Sequence, residues 1–88
     1  MQTVDNETVE EEICKAIRTV KPSLTLLPMS SETRFDSLGL QSIERMMVVF
    51  EIEETFEVSI VDQQLDTFRT IGEARDLVLK LIDARQPK

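Results

Sequence analysis

The sequence predicts an all-α fold, a small antiparallel bundle of three main helices and one short helix. A long loop is expected between the first two helices. Apolar residues recur at helical spacing in several stretches, which indicates amphipathic helices. Only two glycines and three prolines occur in 88 residues, too few turn residues for a sandwich or barrel. The hydrophobic share of 41% is typical of a folded chain, so we expect one domain over residues 1–88.

The first helix is expected to begin at Asp5 or Asn6, either of which can cap it, and to end before Pro22. Cys14 is offset from the apolar face of this helix. That position favours a partly buried apolar side chain over a reactive thiol or a dimer contact. A lone cysteine cannot form an internal disulfide. The predicted buried stripe consists of Val9, Ile13, Ala16, Ile17 and Val20.

Residues 21–41 form a long connection that is too apolar for a free linker. A loop of this length in a small domain is usually functional or packed by its own side chains. We therefore expect it to drape over the bundle and to position Ser42, which stands at the start of the next apolar run.

The second helix is predicted from about Ser42 to Glu57, with a core face formed by Met46, Val49, Ile52 and Phe56. A neighbouring edge carries further apolar side chains at spacings of four and three residues. Such an edge is most often core; the alternative is an apolar strip, rimmed by carboxylates, that a partner protein could contact. The edge comprises Ile43, Met47 and Phe50, flanked by Glu44, Glu51 and Glu54.

Residues 58–61 are β-branched but have no second strand to pair with, so we expect an extended link. Asp62 can cap a short third helix to about Leu65, and Phe68 is an expected core residue. Thr70 and Glu73 have the spacing of a capping box that opens the last helix. The predicted buried face of that helix consists of Ile71, Ala74, Leu77, Val78, Leu81 and Ile82.

The formal charge of −7 is unevenly distributed along the chain. Residues 36–66 contain eight acids and one base, whereas the remaining residues contain nine of each. Such a segment repels nucleic acid and anionic membranes and favours basic protein surfaces as partners. No apolar stretch approaches the roughly 20 residues that span a bilayer. We therefore expect a cytoplasmic monomer without nucleic-acid binding or membrane insertion.

The chain contains no histidine, which excludes a Ser-His-Asp triad, a Cys-His pair and most zinc sites. No phosphate-binding glycine loop or EF-hand spacing is present, so no metal site is predicted. Ser42 has no neighbouring base, and Arg45 is a permanent cation. Ser42 is therefore either a helix cap or a hydroxyl that another enzyme modifies, and the chain is not expected to be an enzyme.

The residues from Asp36 to Glu44, read as D-S-L-G-L-Q-S-I-E, and the helix that ends in E-E-T-F resemble the acyl carrier protein family. The resemblance covers nearly the whole chain. It implies that Ser42 carries 4′-phosphopantetheine, derived from coenzyme A, whose thiol holds acyl groups as thioesters. The implied partners are a phosphopantetheinyl transferase and acyl-processing enzymes with basic docking surfaces. The implied partner-recognition residues are Asp36, Gln41, Ile43, Glu44, Met47, Phe50, Glu51 and Glu54.

Gln41 departs from this family pattern, which usually has Asp directly before the serine. The departure favours a specialised carrier that serves a dedicated pathway over the housekeeping carrier for bulk fatty acids. The resemblance implies a role in fatty-acid, lipid or polyketide-type biosynthesis. Two alternatives stay open. One is an unmodified acidic interaction module that retains the helical fold, and the other is a peptidyl or aminoacyl carrier with the same fold.

Overall fold

The computed structural model describes residues 6–60 and 69–85. These residues form three α-helices: α1 (Asn6–Val20), α2 (Ser42–Phe56) and α3 (Ile71–Arg85). The predicted all-α class and its three main helices are thus confirmed for this part of the chain, which contains no strand beyond one isolated bridge between Arg34 and Thr70. The predicted short helix at 62–65, Phe68 and the possible cap Asp5 lie outside the described residues.

Helix α1 packs against both α2 and α3. Its predicted stripe is confirmed, since Val9, Ile13, Ala16 and Ile17 are buried and Val20 packs against them. Cys14 is partly buried, as expected, and this burial raises the pKa of its thiol. The helix therefore devotes one narrow face to the core and leaves its acidic side to solvent.

Helix α3 begins with the predicted capping box. The Glu73 N–H donates to Thr70 Oγ1 at 3.1 Å, and the Thr70 N–H donates to Glu73 Oε1 at 3.2 Å. An ion pair between Arg75 and Glu10 links α3 to α1, and the hydrogen bond that Arg75 donates to the Glu10 carboxylate raises the pKa of Arg75. On the predicted face, Ile71, Ala74, Val78 and Ile82 are buried, and Leu77 and Leu81 are partly buried.

Helix α2 is rotated relative to the prediction. Val48, Val49 and Ile52 are buried and Phe56 packs against them, whereas Met46, predicted in the core, is 49% exposed. At 100° per residue, Met46 lies far around the helix from Ile52, and Val48 takes its place. The misassignment arose because α2 carries apolar residues on two opposite faces, so that spacing alone did not fix which face is buried.

The connection between α1 and α2 contains two short 3-10 turns, Pro22–Leu24 and Phe35–Leu38. Phe35 and Leu38 are buried in the core. Backbone hydrogen bonds join this connection to the start of α3, among them Phe35 N–H to the Arg69 carbonyl at 2.9 Å and Ile71 N–H to the Thr33 carbonyl at 3.0 Å. The segment that leads into α2 is therefore held by both core packing and backbone pairing.

Candidate functional site

Ser42 is the first residue of α2 and is exposed. The helix cap is its neighbour Gln41, which forms a capping box with Glu44; the Gln41 N–H donates to Glu44 Oε1 at 2.8 Å. Of the two roles that the sequence left open for Ser42, the structure thus gives the capping role to Gln41. The Ser42 hydroxyl is not needed to terminate the helix.

The two serines of the loop–helix junction differ in what their hydroxyls contact. Ser37 Oγ donates to the Arg34 carbonyl at 2.7 Å and so closes the 3-10 turn. Ser42 Oγ has no hydrogen-bond partner among residues 6–60 and 69–85. The two hydroxyls thus differ within the described residues: that of Ser37 is engaged in the turn, and that of Ser42 is not.

Gly39 turns the chain between these serines. It has φ 71°, in the left-handed region that disfavours residues with a Cβ atom. The turn follows directly after Leu38, which is anchored in the core. Leu38 and Gly39 together determine how the backbone enters α2.

Backbone N–H groups surround the start of α2. The first helical hydrogen bond runs from the Arg45 N–H to the Gln41 carbonyl at 2.8 Å. The N–H groups of Ser42 and Ile43 precede it and therefore have no acceptor within the helix. This end also carries the positive pole of the helix dipole, so it suits an anion attached to the Ser42 oxygen.

Cations accompany the acids at this end of α2. Lys21 Nζ lies 3.6 Å from Glu44 Oε1. Asp36 Oδ2 lies 3.4 Å from Arg34 Nη2, and Asp36 Oδ1 lies 4.0 Å from Arg45 Nη1. Lys21 and Arg34 lie outside the acidic segment identified in the sequence, so the charge count of that segment overstates the negative charge near Ser42.

A continuous apolar surface lies on the solvent side of α2. We define the exposed apolar surface as Ile43, Met46, Met47 and Phe50, which are 59%, 49%, 46% and 57% exposed. Their spacing places them on the helix side opposite Val48, Val49 and Ile52. Glu54 continues the same side one turn beyond Phe50, and Glu51 flanks it. Of the two readings of the edge Ile43, Met47 and Phe50, the structure favours a surface over a core.

The eight predicted recognition residues thus divide into two groups. One group lies along the solvent side of α2 and consists of Ile43, Met47, Phe50, Glu51 and Glu54. The other, Asp36, Gln41 and Glu44, forms internal contacts near Ser42. Sequence reasoning missed Met46, whose spacing of three from Ile43 is the available signal. It also missed Lys21, whose contact with Glu44 gives no local signal because 23 positions of sequence separate the two residues.

Among residues 6–60 and 69–85, no group of three or more acidic, histidine or cysteine side chains could hold a metal ion. In the same ranges, none of the helices has the length and apolar character required to cross a bilayer.

The family model described as "Phosphopantetheine attachment site" matches residues 7–78. The chloroplastic acyl carrier protein 4 of Arabidopsis thaliana is 31% identical over 78 residues, which make up 85% of this chain and 57% of that protein. The mitochondrial acyl carrier protein of Saccharomyces cerevisiae is 32% identical over 74 residues, or 83% of this chain and 59% of that protein. The chain therefore spans under two thirds of the length of these two relatives.

The acyl carrier protein of Onion yellows phytoplasma is 36% identical over 58 residues, which make up 65% of this chain and 76% of that protein. In fold, the chain is similar to a chain in the crystal structure of the curacin biosynthetic pathway HMG synthase in complex with acetyl donor-ACP. The TM-score is 0.75 at 27% identity, and the alignment covers 84% of this chain and 95% of that chain.

Proposed function

The chain belongs to the acyl carrier protein family, and from this premise we propose that Ser42 bears its prosthetic group and that the loaded chain shuttles acyl groups between enzymes. The family consists of carriers rather than catalysts, and its prosthetic group is covalently attached 4′-phosphopantetheine. When bound, that group supplies a thiol that holds acyl groups as thioesters. The attachment residue, the cargo and the partners are the content of the proposal.

One observation carries the assignment of Ser42: its hydroxyl is exposed at the first position of α2, while the neighbouring Gln41 caps the helix. Ser37, the other serine of the resembling motif, is engaged with the Arg34 carbonyl. The N–H groups at the start of α2 suit the negative charge of a phosphodiester. These features fit the group without rearrangement of the cap.

In the attachment step, Ser42 Oγ attacks the phosphorus of coenzyme A that bears the pantetheine. One Oγ–P bond forms, one P–O bond of the diphosphate breaks, and adenosine 3′,5′-bisphosphate leaves. The hydroxyl proton goes to a base of the transferase, because the chain has no histidine and Arg45 is a permanent cation. Ser42 thus serves as a nucleophile that a partner enzyme activates.

We propose the exposed apolar surface as the docking site for the transferase and for acyl-processing enzymes. Glu51 and Glu54 lie along this surface and would meet basic residues of a partner, which assists diffusional encounter. Asp36 and Glu44 are already paired with cations of the chain, so their contribution is smaller than the sequence indicated. A partner for this site therefore combines an apolar pocket near Ser42 with basic residues about two and a half to three helical turns further along α2.

The proposed setting is fatty-acid, lipid or polyketide-type biosynthesis. A single carrier domain over residues 1–88 stays a prediction. The cytoplasm as its location also stays a prediction, because the relatives include chloroplastic and mitochondrial proteins.

The experiment is intact-mass analysis after incubation with coenzyme A, Mg²⁺ and a broad-specificity phosphopantetheinyl transferase. The native chain should gain one phosphopantetheinyl group and Ser42→Ala should gain none, whereas Ser37→Ala should behave like the native chain. A gain in Ser42→Ala would move the site to another hydroxyl. No gain in the native chain with several transferases would favour the unmodified interaction module. Gln41, in place of the usual Asp, is the sequence feature that supports this alternative.

A further inference from the structure

Lys21 follows the last residue of α1 directly, and its side chain reaches the segment that leads into α2. Its Nζ donates to the Gly39 carbonyl at 2.7 Å and lies 3.6 Å from Glu44 Oε1. The Lys21 and Glu44 side chains are 28% and 26% exposed, so both are largely shielded from water. One ammonium group, carried by the residue after α1, thus contacts both the glycine turn and the first turn of α2.

The contact continues to the backbone beside Ser42. Glu44, which Lys21 neutralises, also accepts the Gln41 N–H at 2.8 Å. The glycine turn is therefore held on both sides: Lys21 binds the Gly39 carbonyl, and Glu44 binds the Gln41 N–H. Ser42 is the next residue, and its hydroxyl depends on this backbone for its direction.

We propose that Lys21 is a positioning residue for Ser42, which holds the Gly39 turn and the Gln41 cap so that the hydroxyl meets the modifying enzyme in one orientation. The assignment rests on the proposed attachment at Ser42. The geometry supports this role, because one ammonium group bridges the Gly39 carbonyl and the Glu44 carboxylate, which lie five positions apart in the chain. A hydroxyl held in one direction reacts faster than one on a mobile turn, since less orientation entropy is lost in the transition state.

An ordinary surface ion pair is the competing explanation, and it predicts different effects. Exposed ion pairs contribute little to global stability. A positioning role instead predicts local effects on the Gln41 amide and on the rate of loading, with the core of the bundle unaffected. Loading should change in kcat, while KM for the carrier stays the same because the exposed apolar surface is intact.

The test uses Lys21→Met, which retains the aliphatic stem but removes the ammonium, and Lys15→Met as a matched control. Lys15 is an exposed lysine of α1, the helix that Lys21 follows. Amide hydrogen exchange is measured by NMR on the unloaded chain. At Gln41 it is expected to accelerate about fivefold in Lys21→Met, because the variant loses the charge-assisted hydrogen bond from Lys21 to the Gly39 carbonyl. Amides of Ile17 and Val78 report on the core and should not change.

Loading kinetics provide the second measurement. In Lys21→Met, kcat for phosphopantetheinyl transfer should fall about fivefold with KM within about twofold of the native value. Lys21→Arg, which retains a cation and several donors, should recover at least half of the lost rate.

The two proposals can fail separately. Equal Gln41 exchange in Lys21→Met and Lys15→Met would overturn the role of Lys21, whether or not the chain is loaded. A rise in KM without a fall in kcat would also overturn it, since that result indicates docking rather than positioning. A native chain that no transferase modifies would instead contradict attachment at Ser42, on which the role of Lys21 depends.

Discussion

Helices α1 and α2 are both 15 residues long and pack against each other, yet they use their apolar residues differently. The predicted apolar stripe of α1 faces the core. Helix α2 buries Val48, Val49 and Ile52 but exposes four large apolar side chains on the opposite side. Burial stabilises a fold in proportion to the apolar area removed from water, so the exposed set contributes little to folding. The difference supports the proposed docking role of this side of α2.

The largest expected difference lies between two isoleucines, one in each helix. Ile13 is fully buried, so Ile13→Ala should lower the free energy of unfolding by about 2–5 kcal/mol. Ile43 is 59% exposed, and Ile43→Ala should change it by less than about 0.5 kcal/mol. Urea unfolding followed by circular dichroism measures both. Equal losses would show that the two helices do not differ in the way described.

The turn before α2 should respond next. Gly39→Ala places a Cβ at φ 71°, and the left-handed conformation costs about 1–2 kcal/mol for alanine. The loss should come from backbone conformation rather than a clash, because within residues 6–60 and 69–85 the added Cβ would meet only Lys21 Nζ, at 3.9 Å. Gly39→Asn is the matched control and should lose less, since asparagine tolerates this region. If Gly39→Asn loses as much as Gly39→Ala in the same urea experiment, side-chain bulk rather than φ is responsible.

Phe50→Ala separates docking from folding within α2. Because Phe50 is 57% exposed on the exposed apolar surface, the variant should retain its urea midpoint. The KM for transferase loading should rise about fivefold with kcat unchanged, as expected for lost binding energy at an interface. Thr55→Ala, an exposed position on another side of α2, should load like the native chain. A fall in urea midpoint for Phe50→Ala would return this ring to the core.

The smallest effect is expected on the polar side of α1. Arg75→Met removes the ion pair with Glu10 that links α3 to α1. Such a partly exposed pair should contribute below about 1 kcal/mol, and its contribution should shrink in high salt. Urea unfolding of native and variant chains at low and high NaCl measures the difference. A loss as large as that of Ile13→Ala would mean that α1 is held by charge as much as by apolar packing.

These two helices also show how far the sequence could predict the structure. The stripe of α1 was predicted correctly because its apolar residues occupy one face only. Helix α2 was rotated in the prediction, with Met46 placed in the core, because apolar residues occur on both of its sides. The bounds of α2 and the capping box of α3 were predicted well because their signals are local in sequence.

The surroundings of Ser42 were less predictable. The resemblance identified the serine itself, but nothing in the sequence linked Lys21 to Gly39 and Glu44, or Arg34 to Asp36. Contacts between distant positions depend on how the loop packs, and periodicity carries no information about them. The sequence therefore overestimates the negative charge near Ser42, because the fold brings these cations beside Glu44 and Asp36.

The most direct test of attachment at Ser42 is tandem mass spectrometry of the protein isolated from cells that produce it natively. This measurement does not depend on whether an added transferase accepts Gln41 before the serine. The account predicts a phosphopantetheinyl phosphodiester on Ser42 and an unmodified Ser37. A modified hydroxyl elsewhere, or a chain that carries no group although its producing cells contain active transferase, would contradict it.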